Sequence, residues 1–207
     1  MTTTTEPPRK KRVPLNNLPN QLTASRFVMA LILFVFIELQ WWWACLGLFI
    51  LATITDWLDG YLARKQGLTS TLGRNLDPLV DKVLVCGAYI FLLPMGKDDH
   101  WLYAWMVTVV VSRELVITGL RSFMENIGAE FGADWLGKIK MVLQCAAMIG
   151  IFLVLAFYEA FGRNDFTNFL ALIRDVLIYA MLASTLFSGI QYLWKAAIVL
   201  REREDIN

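Results

Sequence analysis

Histidine is nearly absent from this 207-residue chain. His100 is the single one, in a polar connector between apolar stretches, which leaves no basis for histidine-ligated zinc chemistry. Cysteine is scarce too. Cys45, Cys86 and Cys145 are odd in number, lie in apolar runs and form no Cys-x-x-Cys, so they are expected to be small core residues rather than a disulfide framework or a metal site. An excess of either charge is also missing. Nineteen Lys and Arg against 18 Asp and Glu give a net charge of +1, unlike the distinctly basic domains that bind nucleic acid.

Apolar residues are what the chain has in quantity. They make up 57% of it, with charged residues only 18%, against roughly 25% charged in an average soluble domain. A soluble domain of this size would struggle to hide that surface, whereas six spans of about 20 residues would take roughly 120 positions and leave short connectors. The sequence divides accordingly, with apolar stretches at about 22–40, 41–64, 76–95, 101–123, 136–161 and 170–200. We therefore expect an all-α, polytopic integral membrane protein with six transmembrane helices. Residues 1–12 read as a disordered basic tail ending in Arg9, Lys10, Lys11 and Arg12, and the mixed Leu, Asn and Pro stretch from Val13 is expected to lie at the membrane interface. Trp41, Trp42, Trp43 and Trp101 fall at span edges, where amphipathic rings favour the headgroup level. Assigning connectors alternately from an inside N-terminus places sixteen of the 19 cationic residues inside and leaves Lys97, Arg163 and Arg174 outside. Both termini are then cytosolic.

Against this background, acidic residues stand where a membrane should exclude them. Asp56 and Asp59 are spaced i, i+3, and Asp77 and Asp81 i, i+4, so each pair shares a helix face. Intramembrane carboxylates cost several kcal/mol and are usually functional. Counting inward from Trp41 at about 1.5 Å per residue, Asp56 lies about 22 Å deep and Asp59 about 27 Å, near the cytosolic mouth. With the third helix starting near Leu76, Asp77 sits in its first turn, and direct antiparallel packing of the second and third helices would bring all four acids together. Four close carboxylates need cations to stay ionised, and an all-oxygen set suits Mg²⁺ or Mn²⁺. Two such ions can clamp a diphosphate, and a carboxylate left partly free of metal can deprotonate an attacking hydroxyl. Gly60 leaves room for a ligand beside Asp59, Arg64 can meet phosphate oxygens, and Gly73, placed in the connector, permits the turn into the third helix.

The string Asp56-x2-Asp59-Gly60-x2-Ala63-Arg64-x8-Gly73-x3-Asp77-x3-Asp81 resembles the signature of the CDP-alcohol phosphatidyltransferases. That resemblance implies a six-span membrane enzyme, generally a homodimer, in which an alcohol displaces CMP from a CDP-linked lipid. It further implies that Asp56, Asp59 and Asp77 are principal ligands of two divalent metals, with Asp81 as general base and possible further ligand. Gly60, Ala63, Arg64 and Gly73 would line the CDP site. The flanking segments, Pro19 to Arg26 with Asn20, Thr23 and Arg26, Ser112 to Arg121 and Trp135 to Gln144, resemble the branch of the family whose acceptor is glycerol 3-phosphate. The donor would then be CDP-diacylglycerol, the domain would cover residues 13–207, and the protein would work in phospholipid biosynthesis at the inner membrane, in contact with membrane lipids.

The basic residues agree with an anionic acceptor. Arg113 lies deep in the fourth span and needs a partner, which Glu114, about 100° away around the helix, does not automatically supply. Arg121 stands two turns further on. Lys138 and Lys140, two residues apart, cannot face one point, so one is expected to serve the site while the other snorkels to the interface. An acceptor phosphate would give Arg113, Arg121 and a lysine a dianion to hold. Two other readings remain at this stage: the same chemistry on serine, inositol or inositol phosphate, and a divalent-cation transporter.

Overall fold

The helices end where the backbone turns left-handed. Gln40 (φ 58°) and His100 (φ 61°) take that conformation between the first two helices and between the third and fourth, and Gly128 (φ 75°) and Gly162 (φ 67°) follow the ends of the fourth and fifth. For the two glycines it costs little, because no Cβ meets the following carbonyl. The computed structural model describes residues 18–66, 71–128 and 135–204, with side chains at 24–56, 79–80, 82–128 and 135–201. Among the described residues there are six helices and no strand: α1 Leu18–Glu38, α2 Trp42–Gln66, α3 Thr71–Asp98, α4 Ala104–Asn126, α5 Trp135–Phe161 and α6 Asp165–Glu204. At the start of α6 the Asn164 side chain accepts from the Thr167 N–H at 3.0 Å while Thr167 Oγ1 accepts from the Asn164 N–H at 2.8 Å. This reciprocal cap satisfies two donors that a helix start leaves open.

Short connections make hairpins of α1–α2, α3–α4 and α5–α6, and among the described residues each helix touches two others in the order α1–α2–α5–α6–α4–α3 and back to α1. The result is a closed ring. Its core is one apolar cluster drawn from every helix, including Leu33, Phe49, Tyr89, Met106, Met148 and Ile178. Phe49 of α2 meets Phe152 of α5 with ring centroids 5.9 Å apart, and Phe34 of α1 stacks on Phe91 of α3 at 4.9 Å. Within the ring α1 sits beside both α2 and α3, and among the described residues α2 and α3 make no direct backbone contact. The packing expected between their acidic ends falls on Asp59, Asp77 and Asp81, which lie outside the residues whose side chains are described. Further from those ends, α1 carries a continuous buried stripe, Ala30, Leu33 and Ile37.

The ring turns a second apolar surface outward. Leu31, Val35, Ile54, Leu115, Val142, Phe187 and Trp194 are all large and exposed, and they are spread over several helices. Exposed apolar area on this scale is uncommon on a soluble monomer and is the surface of a membrane protein. Among the described residues two helices, Trp135–Phe161 and Asp165–Arg201, are long and apolar enough to cross a membrane, and the apolar Trp42–Asp56 stretch of α2 is shorter. The chain also departs from its expected boundaries. Helix α1 begins at Leu18, so the later part of the expected interfacial stretch is continuous with the first apolar helix; Pro19 is tolerated there because a first turn does not need its N–H. Helix α6 runs for 40 residues, a length of about 60 Å. Trp101 lies before α4 and is buried beneath the Arg174 guanidinium, 4.7 Å from its ring. Trp42 is likewise buried, whereas Trp41 and Trp43 are exposed.

The α3–α4 corner depends on Gly96. Its carbonyl accepts from the N–H groups of Trp101 and Leu102 at 2.9 and 3.0 Å, and a Cβ at this position would collide with the Leu102 side chain and crowd its backbone. Gly96→Ala is expected to cost about 1–3 kcal/mol, read as a lower midpoint of thermal unfolding in detergent micelles. An unchanged midpoint would contradict the close approach.

Candidate active site

At one end of the ring the buried stripes change character. On α1 the positions 26, 30, 33 and 37 face inward, and the first of them is Arg26 rather than an apolar residue. On α4 the buried positions Met106, Val110, Glu114 and Ile117 share one face, with Glu114 among them. On α5 the stripe begins with Lys140 and Gln144, and on α6 it passes from Ile178 and Met181 to Thr185, Ser188 and Tyr192. Helical periodicity carries polar groups to the same depth as the core.

Two polar clusters result. In the first, Arg26 of α1, with 2% of its side chain exposed, pairs with Asp56 of α2 at 3.0 Å. Asp56 keeps 31% exposure, so its carboxylate is reachable. Arg26 was expected as a lipid or nucleotide contact, and the structure places it against the Asp56 carboxylate. Asp59, Gly60, Ala63 and Arg64 on α2, Gly73, Asp77 and Asp81 on α3, and Asn20 and Thr23 on α1 lie outside the residues whose side chains are described. Two expectations about the α3 backbone change. Gly73 belongs to α3 and not to the connector, and Asp77 stands about 9 Å along a helix that starts at Thr71, beyond its first turn. A glycine is tolerated so near a helix start, where the N–H groups have no intrahelical partner to lose.

The second cluster surrounds Glu114, which is 1% exposed. Its carboxylate meets Lys82 of α3, Lys140 of α5 and Arg113 of α4, the last with Nη1 3.2 Å from Oε1. Glu114 does pair with Arg113, despite the angle between neighbouring positions on the helix, because the long arginine stem curls back over the helix. Arg113 also donates from Nη2 to Ser188 Oγ on α6 at 3.0 Å, and Arg121 donates from Nη2 to the Tyr192 hydroxyl at 3.0 Å. Both guanidinium carbons lie within 6 Å of the Tyr192 ring, at 5.8 and 5.6 Å. Arg113, Arg121 and Lys140 are therefore brought together, and Lys138 is exposed and apart from them. Of the two lysines, Lys140 turns inward and Lys138 is exposed.

Lys82, Arg113 and Lys140 are three cations around a single buried carboxylate, and Arg121 lies against the Tyr192 ring that Arg113 also meets. Arg113 Nε and Arg121 Nε are buried donors without a hydrogen-bond partner. A surplus of positive charge with open donors is an anion site in chemical terms. Glu114 itself was not anticipated as the hub, although its place in the stripe of Met106, Val110 and Ile117 was a readable signal. An open depression of about 500 Å³ lies elsewhere, among the connections at the opposite end of the ring, lined by Gln40, Trp42, Asp98, Asp99, Tyr158 and Arg163 among others. It contains none of the site residues. Among the described residues no group of three or more acidic, histidine or cysteine side chains is gathered for a metal.

Residues 16–187 match the family model described as CDP-alcohol phosphatidyltransferase. Curated relatives carry one name, CDP-diacylglycerol–glycerol-3-phosphate 3-phosphatidyltransferase. The Bacillus subtilis (strain 168) protein of that name is 38% identical over 152 residues, covering 66% of this chain and 77% of its own. The Sodalis glossinidius protein is 31% identical over 87% of this chain and 94% of its own. The Yersinia enterocolitica protein is 32% identical over 86% and 96%.

Removing the hub should be costly. Glu114→Gln leaves three cations facing one another without their shared carboxylate and is expected to cost about 3–5 kcal/mol, measured by denaturant unfolding in micelles. Adding Lys140→Met should recover part of that loss. A double-variant loss equal to the sum of the Glu114→Gln and Lys140→Met single losses would show that the two groups are not coupled.

Proposed function

The chain belongs to the CDP-alcohol phosphatidyltransferase family, and on that premise we propose that it transfers the phosphatidyl group of CDP-diacylglycerol to glycerol 3-phosphate. The products are phosphatidylglycerol phosphate and CMP. The observation that carries the choice of acceptor is a surplus of positive charge, with Lys82, Arg113 and Lys140 on the buried Glu114 and Arg121 against the Tyr192 ring that Arg113 shares. A phosphate dianion neutralises such a cluster. Serine or inositol would leave it uncompensated.

In this reading all six helices cross the inner membrane, residues 13–207 form one domain behind the basic tail 1–12, and two copies form a homodimer. Both termini and the site face the cytosol. The polar ends of the six stripes support a single active face, because they fall at alternate ends of successive helices: N-terminal in α1, α3 and α5, and C-terminal in α2, α4 and α6. The outward apolar surface lets the diacyl chains stay in the leaflet while the headgroup enters from the cytosolic side.

The family implies divalent metal, and the donor chemistry fits. Asp56 offers a reachable carboxylate, and Asp59, Asp77 and Asp81 complete an all-oxygen set suited to two Mg²⁺ or Mn²⁺ ions. Bound there, such ions supply positive charge against the CDP diphosphate. The remaining work belongs to the chain. Arg26 fixes the Asp56 carboxylate through their 3.0 Å pair. Gly60, Ala63 and Gly73 keep side-chain bulk away from the nucleotide, and Arg64 meets its phosphate oxygens. Asn20 and Thr23 border the lipid side of the donor. Arg113, Arg121 and Lys140 hold the acceptor phosphate, and exposed Lys138 draws it to the mouth. Asp81 takes the proton of the acceptor hydroxyl as that oxygen forms its bond to the β-phosphorus, and the phosphoanhydride bond to CMP breaks in the same displacement.

The purified protein, given CDP-diacylglycerol, Mg²⁺ or Mn²⁺ and a panel of alcohols, should release CMP with glycerol 3-phosphate and not with serine or inositol. Chelation of the metal should stop it. Asp81→Asn is expected to lower turnover about 10²–10⁴-fold, the usual contribution of a general base, with metal binding retained. Release with serine alone would overturn the acceptor, and no metal-dependent release with any alcohol would overturn the reaction.

A further inference from the structure

Two arginines held against one aromatic ring raise the question of what keeps them there. Helix α6 presents Thr185, Ser188 and Tyr192 on a single inward face, all buried. Ser188 accepts from Arg113 and passes its own proton to the Thr185 carbonyl at 3.2 Å, so its acceptor lone pairs stay turned to the guanidinium. Tyr192 accepts from Arg121 through its hydroxyl and offers its ring to both cations. Two glycines make this approach possible. A Cβ at Gly189 would come within 3.3 Å of Arg113 Cγ, and one at Gly137 of α5 within 3.3 Å of the Tyr192 hydroxyl oxygen.

We propose that this α6 face is the positioning surface for the acceptor-site arginines, and that Tyr192 in particular sets the affinity for a phosphate-bearing acceptor. The proposal rests on the acceptor reading above. A free arginine at the end of an apolar span extends its guanidinium toward water. The ring and hydroxyl of Tyr192 oppose that by giving both guanidinium groups a fixed seat, through cation–π contact and a neutral acceptor that does not cancel their charge. Ser188 does the same for Arg113. Neutral partners matter here, because a second carboxylate beside these cations would compete with the ligand for their charge. The Nε donors left without partners on both arginines are then available to phosphate oxygens. Tyr192 and Ser188 are positioning residues and touch no reacting atom.

The test uses two readouts on the full-length protein in detergent micelles. Steady-state CMP release gives kcat and KM for each substrate, and calorimetric titration with glycerol 3-phosphate in the absence of the lipid donor gives binding directly. Tyr192→Phe keeps the ring and loses the hydroxyl, and is expected to weaken glycerol 3-phosphate about three- to tenfold in both KM and Kd. Tyr192→Leu loses both contacts and should weaken it at least thirtyfold, with kcat and the KM for CDP-diacylglycerol within twofold of the parent. Gly137→Ala, which presses on the hydroxyl without changing Tyr192, should behave like Tyr192→Phe. A fall in kcat with unchanged acceptor KM and Kd, or equal losses for both substrates, would overturn the positioning role. Failure of the parent protein to release CMP would overturn the proposed reaction alone, because the titration still decides the role of Tyr192. A parent protein that binds no glycerol 3-phosphate would overturn the positioning role as well.

Discussion

The buried charge of Glu114 is the constraint from which much of the ring follows. A carboxylate removed from water costs several kcal/mol unless cations and hydrogen bonds surround it. Here the cations come from three helices, Lys82 on α3, Arg113 on α4 and Lys140 on α5. Arg113 extends the connection to α6 through Ser188. Four of the six helices thereby share one polar tie inside an otherwise apolar bundle. Lipid offers helices no hydrophobic reason to associate, so packing and polar contacts of this kind have to hold them. The tie over-supplies positive charge, and one cluster can therefore both register the helices and receive an anion.

The two ends of the ring do different work. At one end the connections are sealed by local chemistry: the Asn164–Thr167 cap, the Gly96 carbonyl beneath Trp101 and Leu102, and an Arg163–Asp99 pair at 2.5 Å. Arg174, buried across the Trp101 ring, belongs to this sealing as well. At the other end the helices carry Arg26, Asp56, Lys82, Glu114, Lys140 and Tyr192 on faces that are apolar further along. Helix α1 connects core and site. It packs against both α2 and α3, and its Arg26 holds Asp56 in place.

Much of this was legible in the residues. The six apolar stretches, the break at Lys97 to Asp99, the opposed facing of Lys138 and Lys140 and the paired spacing of the aspartates all follow from local periodicity. Other features were not. The placement of α1 between α2 and α3 depends on which stripes find partners, and nothing local encodes it. The contact of Trp101 with an arginine 73 residues further on could not be read from its place at a span edge. Gly73 was assigned to a turn because its flexibility suits one, yet the helix begins two residues earlier.

Sequence alone determined the chemistry this chain can perform: which helices form, which faces are apolar, and that hard-oxygen carboxylates stand at fixed spacings on two of them. Those properties belong to neighbours within one or two helical turns, and a 3.6-residue period is enough to expose them. Only the tertiary structure decided which charges meet. Glu114 gathers Lys82 and Lys140 from positions 32 residues before it and 26 after, and Tyr192 reaches Arg121 across 71. Such meetings depend on helix order around the ring and on the length of each side chain, and both are settled only when the whole bundle closes.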